Sequence, residues 1–522
     1  MICRASISAA CFLLLSTALQ AESLTIGMAG AVTSVDPHFH NASPNNSLAM
    51  QIFDRLVERS ASGQLQPGLA ESWAPTGETA WEFHLRSGVR WHDGTPLLAD
   101  DIAFSLQRAR NVPNSPGGFG GFLRNVGKVT AIAPGILRIE TLAPSPGLPG
   151  DLANVAIVSR HAGEAAGTAD YNSGAAAIGT GAFRLGRFSP GERVVLERNP
   201  NWWGDRPVWD TVTYRMMPNA ASRTAAILSR DVDMIEMPAA ADLPRLRAAP
   251  GVTMASGAGL RVIYLAPAHA AAAPGDNLVT AADGSPMREN PLAKREVRQA
   301  LSLAINRAAV TERIMEGTAT PTVQFLPAGT FSYDRAMPVP EAAPDKARAL
   351  LRQAGYPDGF RLTLHVPSDR YPNAPAVGQA VAQMWTRIGV RTSLVSLPWS
   401  AYSAQREHFA VGMLGLGNAT FDATSMLVNG LGTVDAAKGT GALNDSGYSN
   451  PALDALTARA TATFDDAARE ALLVEATRLA VTDSAIIPLY HQSNTWAMRK
   501  GLSYVPRVDE RTLAKDVRIS GR

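Results

Sequence analysis

At 522 residues the chain is long enough for two or three domains, and its 48 Lys and Arg against 46 Asp and Glu leave a formal net charge of +2. That near balance argues against a nucleic-acid partner, which would need a basic stripe, and no apolar run beyond the N-terminal stretch reaches membrane-spanning length. The only two cysteines, Cys3 and Cys11, lie in that stretch, so the rest of the chain carries no disulfide, thiol nucleophile or cysteine metal site.

The first 21 residues read as a cleaved secretory signal. Arg4 is the sole charge before Glu22, Ala9 to Leu19 is nearly all apolar, and Ala18-Leu19-Gln20-Ala21 ends in small residues. Cys11 stands at the start of the apolar core rather than following it, which argues against a lipid anchor. Export without anchor or cysteine framework points to a bacterial periplasm.

Ser23 to Met28 alternates as a strand and runs into the polar loop Thr33 to Asn41, after which Leu48 to Val57 has helical spacing. His38 and His40 resemble half a metal site, but no third histidine is near, so surface or supporting histidines are expected and no metal is assigned. Trp73 to Val89 reads as an antiparallel ribbon. Asp93-Gly94 marks a turn, and Asp100 is the expected N-cap of a helix from Asp101 to Arg108. His92 beside Asp93 lacks a nucleophile and is expected to hold that turn. The glycines of Asn111 to Gly121 do not match a phosphate loop; a mobile loop bordering a cleft is expected there.

Trp202-Trp203 is expected to anchor a turn against the core rather than stack on a sugar. Trp209 to Tyr214, Ala220 to Leu228, Val232 to Ile235 and Ala241 to Ala248 then alternate strand and helix, and Arg261 to Leu265 leaves this first lobe as a strand. Ala266 to Asn290 has little pattern and reads as a surface insertion. Leu292 to Ile314 and Asp345 to Ala354 have helical spacing, the latter closed by Gly355.

Phe360 to Val366 alternates, Ala376 to Ile388 is helical with Gly389 as its stop, and Arg391 to Leu397 alternates again. Strand, helix and strand in that order form a βαβ unit, which predicts a parallel sheet with helices on its faces. A further apolar run, Phe409 to Leu416, ends in Gly417-Asn418-Ala419-Thr420-Phe421-Asp422. Ligands of open parallel sheets bind outside the carboxyl ends of the strands. Arg370 follows one strand end and Asp422 another, which places a cation and an anion on one rim and suits a zwitterion. Helices at Ala452 to Ala460 and Phe464 to Val481 precede a returning strand, Ile486 to Tyr490.

Several stretches together resemble one family. They are Trp81-x-Phe83-x-Leu85-Arg86-x-Gly88-Val89-x-Trp91-His92-Asp93-Gly94-x-Pro96-Leu97, Ile178-Gly179-Thr180-Gly181-Ala182-Phe183, and Asn199-Pro200-Asn201-Trp202-Trp203-Gly204. Val297-Arg298-Gln299-Ala300, Ala304-Ile305-Asn306-Arg307, Ala354-Gly355-Tyr356-Pro357-Asp358-Gly359 and Tyr448-Ser449-Asn450-Pro451-x-Leu453-Asp454 follow in order. The chain resembles the periplasmic solute-binding proteins of ABC importers, in the dipeptide/oligopeptide class (extracellular solute-binding family 5).

The resemblance implies an α/β, two-lobed periplasmic-binding-protein-like fold with a hinge and an extra subdomain in the first lobe. The expected division is 1–21 signal peptide, 22–56 first lobe, 57–177 extra subdomain, 178–265 first lobe continued, 266–485 second lobe and 486–522 the return to the first lobe with the tail. It further implies a monomer without cofactor or catalysis that delivers a peptide or peptide-like solute to an inner-membrane ABC permease. In that class an aspartate holds the α-amino group and an arginine the α-carboxylate; the matching positions are Asp422 and Arg370. Tyr371, Asn418, Thr420 and Trp399 are expected around them, with Phe39, His40, Asn41 and Phe119 from the first lobe. A metal chelate, opine, glutathione-like compound or glycoside is the alternative solute. A secreted hydrolase is the rival from another class, without a Gly-x-Ser-x-Gly or His-Glu-x-x-His to support it.

Overall fold

The computed structural model describes residues 22–275, 277–368 and 370–521; the expected signal peptide, with both cysteines, lies outside them. One twelve-stranded sheet runs through both lobes. In the first lobe Ser23–Met28 pairs in parallel with Thr211–Met216 and Met234–Glu236, while Arg193–Arg198 and Phe183–Ser189 extend the sheet antiparallel. Their inward side chains, among them Leu24, Ile26, Val194 and Val212, form the core of this lobe together with Trp209 and Trp496.

The second lobe holds the βαβ unit. Phe360–Pro367 and Val390–Leu397 pair in parallel over their full lengths, joined by the helix Ala374–Arg387. The helix buries Val377, Val381 and Trp385 on the sheet, and the Trp385 indole donates to the Leu301 carbonyl at 2.9 Å. Val411–Gly417 lies on the other side of Phe360–Pro367, also parallel, so the loops carrying Arg370 and Asp422 leave neighbouring strands. The sheet as a whole is mixed rather than parallel, because two long strands bind the lobes together antiparallel. These are Val252–Pro267 and Ile487–Arg499.

Their ladder shifts register twice: across a gap between the pairs Ala258/Ser493 and Val262/His491, and by one residue between Ile263/Tyr490 and Tyr264/Pro488. Gly259 lies in the gap. A Cβ there would stand 2.8 Å from the Gln492 carbonyl oxygen, so only glycine lets the two backbones approach so closely. The returning C-terminal segment clasps the same place. Leu260 donates to the Val508 carbonyl at 2.9 Å, and the Asn494 amide donates to Arg507 and Val508 carbonyls.

A four-stranded antiparallel sheet, in the order Ala70–Gly77, Ala80–Leu85, Ile136–Thr141 and Val126–Ala133, stands apart with its own core of Trp81, Phe83, Trp91 and Leu137. Its helix spans Ala99–Ala109, with the N-cap two residues earlier than in the sequence reading. Leu98 is the N-cap, and Asp101, not Asp100, reaches back to the Leu98 N–H at 2.8 Å. The supposed insertion Ala266 to Asn290 is also more regular than its composition indicates, since Val279–Ala281 adds a strand beside Phe360–Leu362. The long helical pattern from Leu292 splits after Ala304, where the chain leaves the helix at Ile305 and Asn306 caps a new turn.

Candidate functional site

A cavity of about 1400 Å3 opens between the four-stranded subdomain and the second lobe. Its first wall is built by Arg59, Trp73, Trp81, Phe122, Arg124 and the proline-rich segment 144–151. Its second wall comes from the loop 329–335, the loop Thr420–Ser425, one face of the helix Pro451–Ala462 from Asp454 to Thr461, and the first turn of the helix Asp466–Thr482. The walls touch where Trp81 meets Phe464, with ring centroids 5.9 Å apart.

Asp422 faces this space. Phe421, just before it, sits at φ +64°, a left-handed conformation costly for a bulky side chain and held only where surroundings enforce it. Its ring is packed on Gly63 and under Arg59, whose guanidinium carbon lies 3.9 Å from the ring centroid, and its N–H donates to the Asn418 carbonyl at 2.9 Å. The kink turns Asp422 toward the cavity, where its Oδ2 accepts from Arg469 at 2.8 Å and its Oδ1 from the Thr424 N–H at 3.0 Å. Thr420 supports the turn by accepting from the Ser425 N–H and donating to the Asp422 carbonyl.

Arg59 ties the two walls together. Its Nη1 donates to the Gly63 carbonyl at 2.8 Å, and its Nη2 reaches the Gly150 carbonyl at 3.1 Å and the Thr420 carbonyl of the second lobe at 3.4 Å. Burial lowers its pKa to about 10, which still leaves it charged at neutral pH. Gly150 makes this approach possible: a Cβ there would lie 2.8 Å from Arg59 Nη2. Beside it stands Asp151, whose carboxyl is pushed up to about 7 by burial and by the charge of Asp422. Arg124 and Arg335 also line the cavity, and among the described residues neither side chain has a hydrogen bond or ion pair. The space therefore holds both signs of charge and several aromatic faces, a setting for an organic zwitterion.

Of the residues expected from sequence, Asp422 and Thr420 line the cavity. Asn418 lies beneath it, fully buried, with its amide donating to the Leu260 and Phe325 carbonyls. Arg370, Tyr371 and Trp399 form a separate group. The exposed Arg370 guanidinium lies 5.3 Å from a Trp399 ring, Trp399 meets Tyr371 edge-on at 6.3 Å, and the Tyr371 hydroxyl accepts from Gly415 N–H. None of the three lines the cavity. Neighbouring strand ends brought their loops together, but Arg370 is drawn to an aromatic face instead of the space before Asp422. Arg370→Ala is accordingly expected to cost about 1 kcal/mol or less of ligand affinity, as for an exposed cation. A tenfold loss by calorimetry would return it to the site.

Phe39, His40, Asn41 and Phe119 also lie off the cavity. They form the seam where the Thr33–Asn41 loop meets the glycine-rich loop. Asn41 N–H donates to the Gly117 carbonyl, Ser115 donates to the Phe39 carbonyl, and His40 Nδ1 lies 3.0 Å from the Thr33 hydroxyl. Phe119 is packed inside the subdomain against Phe122, which does line the space. His38 is buried under the same seam, with Nε2 2.8 Å from the Ala156 carbonyl, and burial lowers its pKa to about 4. His92 is likewise held by backbone, while Asp93 pairs with His161. The described residues contain no group of three or more acidic, His or Cys side chains arranged for a metal. Trp203 anchors its turn by donating to Asp54 at 2.7 Å.

Arg59, Asp151, Arg124 and Arg469 escaped the sequence reading. Arg469 alone left a trace there. It stands in the first turn of the helix Asp466–Thr482, where a cation opposes the helix dipole and so implies an acidic partner.

Residues 64–438 match the family model of the bacterial extracellular solute-binding proteins, family 5. The dipeptide-binding protein of Escherichia coli is 27% identical over 418 residues, covering 74% of this chain and 74% of that protein. Heme-binding protein A of Haemophilus influenzae is 28% identical over 480 residues, covering 85% of this chain and 82% of the other. HbpA2 of Haemophilus parasuis shares the fold with a TM-score of 0.81 at 23% identity, over 95% of this chain and 100% of that one.

Proposed function

Because the chain belongs to the bacterial extracellular solute-binding proteins of family 5, we propose that it captures a peptide or peptide-like solute between its lobes and delivers it to an ABC permease. In this reading the N-terminal stretch is a secretory signal, and the exported protein acts in the periplasm as a monomer that binds its solute without turning it over. The observation carrying the peptide reading is the charge layout of the cavity. Asp422 stands on one wall with Asp151 across from it, while Arg124 and Arg335 make no hydrogen bond or ion pair among the described residues. A charge leaves water only for a partner of opposite sign. A peptide offers both, an ammonium for the acids and a carboxylate for the guanidinium forks of Arg124 or Arg335. These replace Arg370 as carboxylate partners. Two charge-assisted contacts of about 1.5–3 kcal/mol each, with backbone contacts added, suffice for micromolar capture.

Mass spectrometry of the solute that copurifies with native protein tests this directly. Calorimetry with a panel of di- and tripeptides, set against nickel–histidine and heme, gives the second test. Heat from peptides supports the reading. Heat from a chelate or heme with none from any peptide would replace it.

A further inference from the structure

We propose that Asp151 is a second anchor for the ammonium group of the solute, closing on it from the first-lobe wall while Asp422 holds it from the second. The inference rests on the amine-bearing solute of the preceding reading and goes beyond it in one respect: recognition of the amine is divided between the lobes.

Three observations support it. Asp151, in the short helix Leu148–Leu152, and Asp422 line one cavity from opposite walls. The walls are in register there, because a single nitrogen of Arg59 bridges the carbonyl of Gly150, adjacent to Asp151, and that of Thr420, two residues before Asp422. Finally, the Asp151 carboxyl accepts no hydrogen bond and forms no ion pair among the described residues, although Asp422 is held by Arg469 and Thr424. Two carboxylates without a third ligand fall short of a metal cage. An ammonium donates in three directions and needs no such cage.

The charges facing Asp151 explain its state in the empty protein. Asp422 opposes its ionisation and Arg124 and Arg59 favour it, and burial tips the balance so that the group titrates near pH 7. An ammonium between the acids turns their repulsion into two attractions. Closure then favours solutes with a free amine and penalises blocked ones, for which an unpaired acid pair must be desolvated. A cation also favours the ionised form of Asp151, so binding releases a proton. Affinity accordingly rises as pH rises through about 7, until the solute amine itself deprotonates near pH 8.

The test compares Asp151→Asn and Asp151→Glu with the parent protein by calorimetry, using L-alanyl-L-phenylalanine and its N-acetyl form from pH 5.5 to 7.5. The parent is expected to prefer the free amine by about a hundredfold and to gain about tenfold in affinity across that range. Asp151→Asn should lose about tenfold or more toward the free amine, change little toward the acetylated peptide, and lose the pH dependence. Asp151→Glu should retain part of each. Equal losses for both peptides with the pH slope intact would make Asp151 a structural residue and overturn the proposal. A parent protein that binds neither peptide would instead overturn the peptide reading, and this inference with it.

Discussion

Replacing Asp422 with alanine is expected to weaken capture of an amine-bearing peptide by about ten- to a hundredfold. A charge-assisted contact contributes about 1.5–3 kcal/mol, and each 1.4 kcal/mol is about tenfold in affinity. The upper part of the range is expected, because the substitution also frees Arg469, leaving its cation where the ammonium has to sit. Simultaneous Arg469→Ala should recover part of that loss. The empty protein should lose about 1–3 kcal/mol of stability. The pair is largely buried, with side-chain exposures of 16% and 10%, but Asp466 at 3.3 Å remains as a second acid for Arg469. Calorimetry and thermal melting read the two effects separately. Unchanged affinity in Asp422→Ala would remove the amine anchor, whatever the melting temperature did.

Arg59→Ala is expected to open the empty protein and to cost about 2–5 kcal/mol of stability. Its guanidinium is the donor to three carbonyls, those of Gly63, Gly150 and Thr420, and it lies on the Phe421 ring. Each buried acceptor left without a donor costs about 1–3 kcal/mol where water cannot replace it. Water enters more easily on the cavity side, which keeps the sum toward the lower end. Arg59→Met retains the apolar stem while removing the donors, so a similar result for both variants assigns the effect to hydrogen bonding rather than packing. Small-angle scattering should show a larger radius of gyration for the empty variant, and affinity should fall with the population of the closed form. Unchanged scattering and melting would mean that Arg59 is no latch.

The elements that sequence periodicity located are those whose burial is one-sided. The unit Phe360 to Leu397 was legible because Leu362, Leu364, Val377, Val381 and Trp385 recur at strand and helix spacing against a single core. The position of Asp422 on the cavity rim was legible because its loop leaves the carboxyl end of a strand parallel to its neighbour. The opposite wall was not. Arg59 belongs to a three-residue strand, and Asp151 follows a run of prolines; neither stretch is long enough to carry a period. Arg370 illustrates the complementary difficulty. Topology placed its loop beside that of Asp422, but the direction of one long side chain was decided by the Trp399 face, a contact that no spacing encodes. The N-cap at Leu98 was missed for a similar reason, since a carboxylate at the third helical position closes the helix end as well as one at its start.

The interrupted ladder between Val252–Pro267 and Ile487–Arg499 limits how the halves can travel. On each side of the gap the two strands remain paired, with one further bulge at Ile263/Tyr264, so neither half can slide along the other without breaking pairs wholesale. What remains free is rotation, concentrated in the few residues from Gly259 to Arg261 and their counterparts near Gln492. Opening thus follows a narrow arc rather than a wandering path. The acids on facing walls meet in the same alignment each time the protein shuts.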